Sequence, residues 1–149
     1  CDVYTAYTGS TEDVQKSKEA AQAMIDKGVD LIGGGGNASN AGMIKACEEA
    51  GIYAFGELEQ QNLAPVTVIF CNMNNIENLV LQAVKDTIDG DFQGCIREYG
   101  IAADVAQLTE YNSHVPQEVK DKLAECMDQM RSGELDIPMI TEISDDIIH

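Results

Sequence analysis

Residues 31–51 have the sequence LIGGGGNASNAGMIKACEEAG. A short apolar run is followed by four glycines, and apolar residues at helical spacing come after the glycines. The apolar run predicts a strand near 29–33, and the spacing of apolar residues after the glycines predicts a helix near 40–50. Asn40 or Ser39 is placed to cap that helix. A strand that turns directly into a helix is one step of an alternating α/β chain, so this stretch decides the fold class.

The same alternation continues on both sides of this stretch. Apolar runs rich in β-branched and aromatic residues predict further strands at residues 2–8, 52–56 and 67–73, and strand-like residues also occur at 95–101. Apolar residues at helical spacing, each series ended by a glycine, predict helices at residues 11–27, 75–89 and 116–132. Such alternation predicts an α/β fold with a mostly parallel sheet flanked by helices. We expect residues 1–149 to form a single unit of this kind, with 139–149 as an acidic, isoleucine-rich tail.

The charge balance argues against two classes of partner. The 149 residues include 26 acidic and nine basic side chains, which gives a formal net charge of −17. A surface this acidic repels nucleic acid and anionic membranes, so we predict no nucleic-acid partner. No apolar run is long enough to cross a bilayer, and no secretion-signal pattern occurs in the sequence.

The cysteines and histidines do not suggest a catalytic or metal centre. None of the five cysteines forms a C-x-x-C pair, and Cys47 and Cys126 fall on apolar helical faces that favour burial. His114 and His149 have no visible serine or cysteine partner, whereas a general base needs an aligned partner. We therefore predict no metal, no cofactor and no catalytic residue.

The glycine turn has two surviving interpretations. A P-loop is excluded because no Gly-Lys-Ser/Thr follows the glycines. The turn either satisfies backbone geometry alone or forms a cradle in which backbone N–H groups meet a ligand. Gly33, Gly35 and Ala38 match the dinucleotide fingerprint in its alanine-ended form, and Glu57 ends the next predicted strand, where a ribose-binding acid belongs. Ligands bind at the carboxyl ends of such strands, so Glu57 or Glu59 is placed to accept hydrogen bonds from ligand hydroxyls.

Several longer segments together resemble one protein family. They are, in chain order, GSTEDVQKSKEAAQAMIDKGVDLI, IKACEEAGIYAFG, LAPVTV, NIENLVLQAVKDTIDGDFQG and VPQEVKDKLAECMDQMRSGELDIP. Across residues 2–138 they are similar to the C-terminal half of the basic membrane protein family. These are the substrate-binding lipoproteins of ABC transporters and include the purine-nucleoside receptors.

The resemblance implies the C-terminal half of a type I periplasmic-binding-protein fold, in which two α/β lobes close on a ligand and perform no chemistry. The chain would then be an excised fragment or a truncated relative. The resemblance also implies an extracytoplasmic location and a transporter permease as partner of the full-length parent. Apolar surface left by the missing lobe predicts self-association of the isolated half as a homo-oligomer.

The family's ligand site, carried over position by position, implies a small polar solute that is nucleoside-like or sugar-like. The implied ligand-binding residues are Thr11, Gly35, Gly36, Asn37, Glu57, Glu59 and Asn74. Thr11 stands where the nucleoside receptors have a stacking aromatic residue, and Asn74 stands where they have a lysine. The family's ribose-binding acid corresponds to either Glu57 or Glu59.

An enzyme interpretation is the alternative. The dinucleotide fingerprint would suit a nucleotide-cofactor-binding, Rossmann-like domain. Such a domain would need catalytic residues from a further lobe, and it would leave residues 60–138 without an explanation. A solute-binding protein accounts for nearly all of them.

Overall fold

Helices and strands alternate along residues 2–138, the part of the chain that this computed structural model describes. The elements are α1 (Val14–Ile25), β1 (Leu31–Gly33), α2 (Asn40–Ala50), β2 (Tyr53–Glu57), β3 (Val68–Asn74), α3 (Ile76–Asp89), β4 (Ala106–Leu108) and α4 (Gln117–Ser132). Strands β1, β2 and β3 are neighbours and parallel, and β4 joins the far side of β3 in the antiparallel sense. The predicted α/β fold with a mostly parallel sheet is confirmed. The predicted tail at 139–149 lies outside the described residues.

The core lies between the sheet and helices α1 and α2. Its fully or nearly fully buried apolar side chains include Ala21, Ile32, Met43, Ile44, Cys47, Ala54, Val68 and Cys71. The burial predicted for Cys47 is confirmed, and Met43 and Ile44 of the same helix are buried with it, whereas Ala50 at the helix end is exposed. Cys126 on α4 is half-buried rather than buried. Every element that holds the glycine turn in place therefore belongs to one packed body.

The strand predicted at residues 2–8 is wrong. These residues form no strand and are mostly exposed. Ala6 and Thr8 of this segment line a cavity of about 120 Å³ together with Ile32 and Gly33 of β1. The β propensity of a sequence expresses how well it fits beside a neighbouring strand, and residues 2–8 do not pair with β1, the strand at this edge of the sheet.

The strand-like segment at 95–101 also forms no strand, and the fourth strand is instead β4. Arg97 forms an ion pair with Asp86 of α3, and the Tyr99 hydroxyl donates a 2.9 Å hydrogen bond to the same carboxylate. These polar contacts hold the segment along α3 and away from the sheet.

Burial of Cys47 makes the stability of this core sensitive to alkaline pH. Because the thiolate would lose its hydration, burial raises the pKa of Cys47 from 9.0 to about 11. The stabilising contribution of the neutral thiol is fully present below pH 9.0 and is lost as the pH rises through about 11. We expect the urea midpoint of the wild-type chain to fall more steeply above pH 9.0 than that of Cys47→Ala. Parallel pH profiles of the two proteins would contradict this expectation.

Candidate functional site

The carboxyl ends of β1 and β2 lie side by side at one edge of the sheet. β1 ends at Gly33 and leads into the glycine turn, while β2 ends at Glu57. The two strands are parallel and in direct register, with Gly33 paired to Phe55. This edge is where open parallel sheets bind ligands.

Two of the four glycines are needed by the internal packing of the chain. A Cβ atom added at Gly33 would lie 1.8 Å from the ring of Phe55 on the neighbouring strand. A Cβ added at Gly34 would lie 2.5 Å from the side-chain oxygen of Asn40. Both distances are far shorter than a van der Waals contact. The space that a side chain would fill at Gly33 and Gly34 is therefore occupied by Phe55 and Asn40.

The other two glycines differ from each other. At Gly36, which is buried, a Cβ would lie 2.4 Å from the hydroxyl oxygen of Ser39 and 3.6 Å from the carbonyl oxygen of Thr11. At Gly35 a Cβ would meet nothing within 4 Å. Within the glycine run, Gly35 is therefore the position whose missing side chain leaves room for something outside the described chain.

A buried asparagine connects the glycine turn to the acid of β2. The Asn40 amide nitrogen donates to the carbonyl oxygen of Gly34 at 3.3 Å, to Glu57 Oε2 at 3.4 Å and to Gln60 Oε1 at 3.1 Å. Gln60 Oε1 also accepts the backbone N–H of Glu57 at 2.9 Å. Asn40 is only 2% exposed, so this network fixes the half-buried carboxylate of Glu57 against the turn.

A second set of contacts ties the outer part of the turn to the start of α1. The Asn37 amide nitrogen donates to Glu12 Oε1 at 2.9 Å. The backbone N–H of Ser39 donates to the carbonyl oxygen of Thr11 at 3.1 Å. Thr11 and Asn37 are both exposed, so their side chains border the mouth of the turn.

The remaining predicted residues lie further from this network. Glu59 is exposed and precedes the short 3-10 helix Gln60–Leu63, and within residues 2–138 its carboxylate has no hydrogen bond. Asn74 is the last residue of β3 and is paired with Ala106 of β4. The structure thus brings Thr11, Gly35, Gly36, Asn37 and Glu57 together around the turn and leaves Glu59 and Asn74 outside it.

Sequence reasoning missed three members of this cluster. Asn40 was considered only as a helix cap, yet the N-cap is Ser39 and no side chain caps that end. No sequence pattern marks Gln60 or Glu12 as a member of the cluster, because each contacts the turn from a different loop. An asparagine at a strand-to-helix turn is the one clue in the sequence, since an amide that is buried there requires hydrogen-bond partners.

The helix start offers fewer donors than expected. The N–H groups of Asn40, Ala41 and Gly42 donate to carbonyl oxygens of residues 37, 38 and 39. A ligand at the turn would therefore meet the backbone of Gly35 and the surrounding side chains rather than the end of α2.

The cavity beside the turn is small. Its volume is about 120 Å³, and its lining includes Gly33, Gly34, Gly35 and Asn40 but not Glu57. Pockets for small organic ligands usually measure about 300 Å³ or more. The described residues therefore do not enclose a nucleoside-sized molecule at this position.

Two further features bear on the class of protein. Within residues 2–138, no group of three or more His, Cys, Asp or Glu side chains could hold a metal ion. Over the same residues, none of the helices combines the length and the apolar character needed to cross a membrane.

Comparison with known proteins assigns the sequence to a family. A family model described as Bmp, ABC transporter substrate-binding protein PnrA-like, matches residues 1–141. A purine-binding protein of Brucella abortus (strain 2308) is 26% identical over 134 residues, which are 89% of this chain and 37% of that protein. The chain therefore spans little more than a third of that relative.

Solved structures share the fold. A transcriptional activator of the comK gene from Bacillus halodurans superposes with a TM-score of 0.78 at 22% identity, over 87% of this chain and 46% of that one. An ABC transporter solute-binding protein from Aeropyrum pernix K1 gives a TM-score of 0.72 at 22% identity, over 98% of this chain and 50% of that one. In both comparisons, about half of the other chain has no counterpart among these residues.

Proposed function

Since the chain belongs to the Bmp family of PnrA-like ABC transporter substrate-binding proteins, we propose that it forms part of a solute receptor for such a transporter. Its solute is a small polar molecule, nucleoside-like or sugar-like, that binds at the glycine turn. The receptor acts outside the cytoplasm, delivers the solute to a permease and performs no chemistry. The name of the Brucella relative, a purine-binding protein, supports a nucleoside over a sugar.

The observation that carries this proposal is the fixed carboxylate beside an open glycine. Glu57 is held by Asn40 at the edge of the sheet, and Gly35 in the adjoining turn faces open space. A carboxylate accepts hydrogen bonds from vicinal hydroxyls, and a bare backbone lets a flat or ring-shaped solute approach closely. The exposed residues Thr11 and Asn37 contribute polar groups at the same mouth.

The small cavity supports a cleft shared with another lobe. The cavity of about 120 Å³ beside the turn is too small for a nucleoside and does not reach Glu57, whereas bound ligands are usually 70–90% buried. We therefore propose that this chain is the C-terminal half of a two-lobed protein and that the other lobe completes the site. The longest natural polypeptide that contains this sequence is called the parent polypeptide below.

The test is calorimetry on the parent polypeptide with a panel of purine nucleosides, pyrimidine nucleosides and free sugars. A hydrogen bond to a charged group contributes about 1.5–3 kcal/mol. Glu57→Ala should therefore weaken binding by about ten- to a hundredfold. Glu59→Ala is the matched control, because the carboxylate two positions later makes no hydrogen bond to the turn among the described residues, and this variant should bind as the wild type does. Equal losses in both variants, or none in Glu57→Ala, would show that Glu57 does not hold the solute.

A further inference from the structure

The buried asparagine at the start of α2 does not cap its own helix. Asn40 is the first residue of α2, and the N-cap Ser39 makes no side-chain hydrogen bond to the helix. An asparagine at a helix start usually accepts a backbone N–H, whereas the Asn40 amide donates to other parts of the chain. A buried amide is unfavourable unless hydrogen bonds replace its hydration. The partners of Asn40 therefore indicate what its amide does.

The amide nitrogen of Asn40 faces more acceptors than it has hydrogens. It carries two N–H groups. Three oxygens lie within hydrogen-bond distance of it, namely Gln60 Oε1 at 3.1 Å, the Gly34 carbonyl oxygen at 3.3 Å and Glu57 Oε2 at 3.4 Å. Among residues 2–138, Asn40 is the one residue that donates to the Glu57 carboxylate. A carboxylate has about four lone-pair sites, so most of the acceptor capacity of Glu57 is left for a solute.

The glycine turn leaves room for this amide at Gly34. A Cβ atom added there would lie 2.5 Å from Asn40 Oδ1 and 3.1 Å from Met43 Cε. The side-chain oxygen of Asn40 thus packs against Gly34, while its nitrogen contacts Glu57. One amide therefore joins the glycine turn to the carboxyl end of β2.

We propose that Asn40 is a positioning residue of the solute site and that it acts through Glu57. Its amide holds the Glu57 carboxylate in one place, so that the carboxylate meets solute hydroxyl groups without first losing side-chain freedom. At metal sites, removing a group that orients a ligating residue commonly lowers affinity by about 10- to 100-fold, and the same reasoning applies here. This inference rests on the proposed solute receptor and adds a residue that acts without touching the solute.

The alternative is that Asn40 only stabilises the turn. Its contacts with the Gly34 carbonyl oxygen and with Gln60 would stabilise the fold whether or not Glu57 binds a solute. The two roles differ in one measurable respect. A residue that only stabilises the turn affects solute affinity independently of Glu57, whereas a residue that positions Glu57 has no effect once that carboxylate is removed.

A double-mutant cycle of solute affinity in the parent polypeptide tests this proposal. Calorimetry compares the wild type, Asn40→Ala, Glu57→Ala and the double variant, using the member of the nucleoside and sugar panel that binds most tightly. Asn40→Ala should weaken binding by about tenfold in the wild-type background and by less than about twofold in the Glu57→Ala background. Ser39→Ala is the matched control and should bind as the wild type does, because within residues 2–138 the buried Ser39 makes no hydrogen bond to Glu57.

Gly34→Ala provides a second variant if Asn40→Ala does not fold. Its methyl group would displace the Asn40 side chain while leaving the amide itself in the chain. Solute affinity should again fall by about tenfold, and the loss should again disappear in the Glu57→Ala background. Agreement between the two variants would assign the effect to the position of the amide rather than to the volume of the side chain.

Wild-type affinity in Asn40→Ala, or an equal loss with and without the Glu57 carboxylate, would overturn the positioning role. An equal loss in Ser39→Ala and Asn40→Ala would overturn it as well. If Glu57→Ala weakens binding and Asn40→Ala does not, the proposed function stands without this inference.

A measurement without solute separates the inference from the proposed function. In the 149-residue chain, NMR order parameters of the Glu57 side-chain methylene groups should be lower in Asn40→Ala than in the wild type and unchanged in Ser39→Ala. Equal order in Asn40→Ala and the wild type would overturn the inference. The expected drop in a protein whose parent polypeptide binds none of the panel would uphold the contact between Asn40 and Glu57 and refute the proposed function.

Discussion

Gly42→Ala is expected to destabilise the chain by about 3 kcal/mol, at the upper end of the range for overpacked interiors. A Cβ atom at this position of α2 would lie 2.0 Å from the carbonyl oxygen of Val14 and 3.0 Å from the backbone nitrogen of Lys18. Both atoms belong to the backbone of α1, so the clash cannot be relieved by rotating a side chain. Helices α1 and α2 would have to separate. Alanine favours a helix over glycine by about 1 kcal/mol, which is too little to offset that separation.

Urea denaturation measures this effect directly. Gly94→Ala is the control, because a Cβ there meets nothing within 4 Å and the residue is exposed. Its unfolding free energy should stay within about 0.5 kcal/mol of the wild type, as for most surface changes. If Gly42→Ala and Gly94→Ala unfold at the same urea concentration, the close approach of α1 and α2 is wrong.

The sequence predicted those elements whose partners are close along the chain. The strand-turn-helix-strand unit from β1 to β2 was placed within one or two residues, because its apolar spacing and its terminal Gly51 are local signals. Helix α1 begins at Val14 rather than at residue 11, since the side chain of Asp13 caps its first turn. Such local capping errors shift an element's boundary but not its type.

The failed strand predictions depended on partners that are distant or absent. Residues 2–8 have the composition of a strand, but a strand forms only beside another one, and these residues do not pair with the edge strand β1. For 95–101 the competing contact is Asp86, whose pairing with Arg97 cannot be inferred from spacing alone. The role of Gly42 was equally hidden, because only the approach of α1 shows why a mid-helix glycine is required there.

The sequence predicts at which edge of the sheet the candidate site lies, and the structure adds which side chains contact one another there. The edge of the sheet follows from strand order, and both Glu57 and Glu59 were candidates for the acid. Contacts from Asn40 and Gln60 distinguish the two acids, and these contacts depend on side-chain geometry that a single sequence does not encode. The contacts also change the explanation of the glycine run, because three of its four members accommodate the chain's own atoms.

Replacing Gly33 and Gly35 by alanine in two separate variants should distinguish the structural role of the four glycines from their proposed role in solute binding. Neither glycine adopts a left-handed backbone, so alanine fits both conformations and only the surrounding space differs. At Gly33 the new methyl group would meet the ring of Phe55, which stacks on Phe70 with ring centroids 5.5 Å apart. The ring cannot move away without losing that contact, so Gly33→Ala should cost about 2 kcal/mol of unfolding free energy.

Gly35→Ala should leave the unfolding free energy within about 0.5 kcal/mol of the wild type, because its methyl group enters open space. In the parent polypeptide the same methyl group would occupy the proposed solute position. Solute affinity should therefore fall by about tenfold or more, equivalent to about 1.4 kcal/mol. Urea denaturation and calorimetry on the two variants separate these effects. A Gly35→Ala protein that is stable and binds solute as the wild type does would show that the run serves the turn alone. In that case Gly33, Gly34 and Gly36 would be explained by packing, and the solute would have to approach Glu57 from another side.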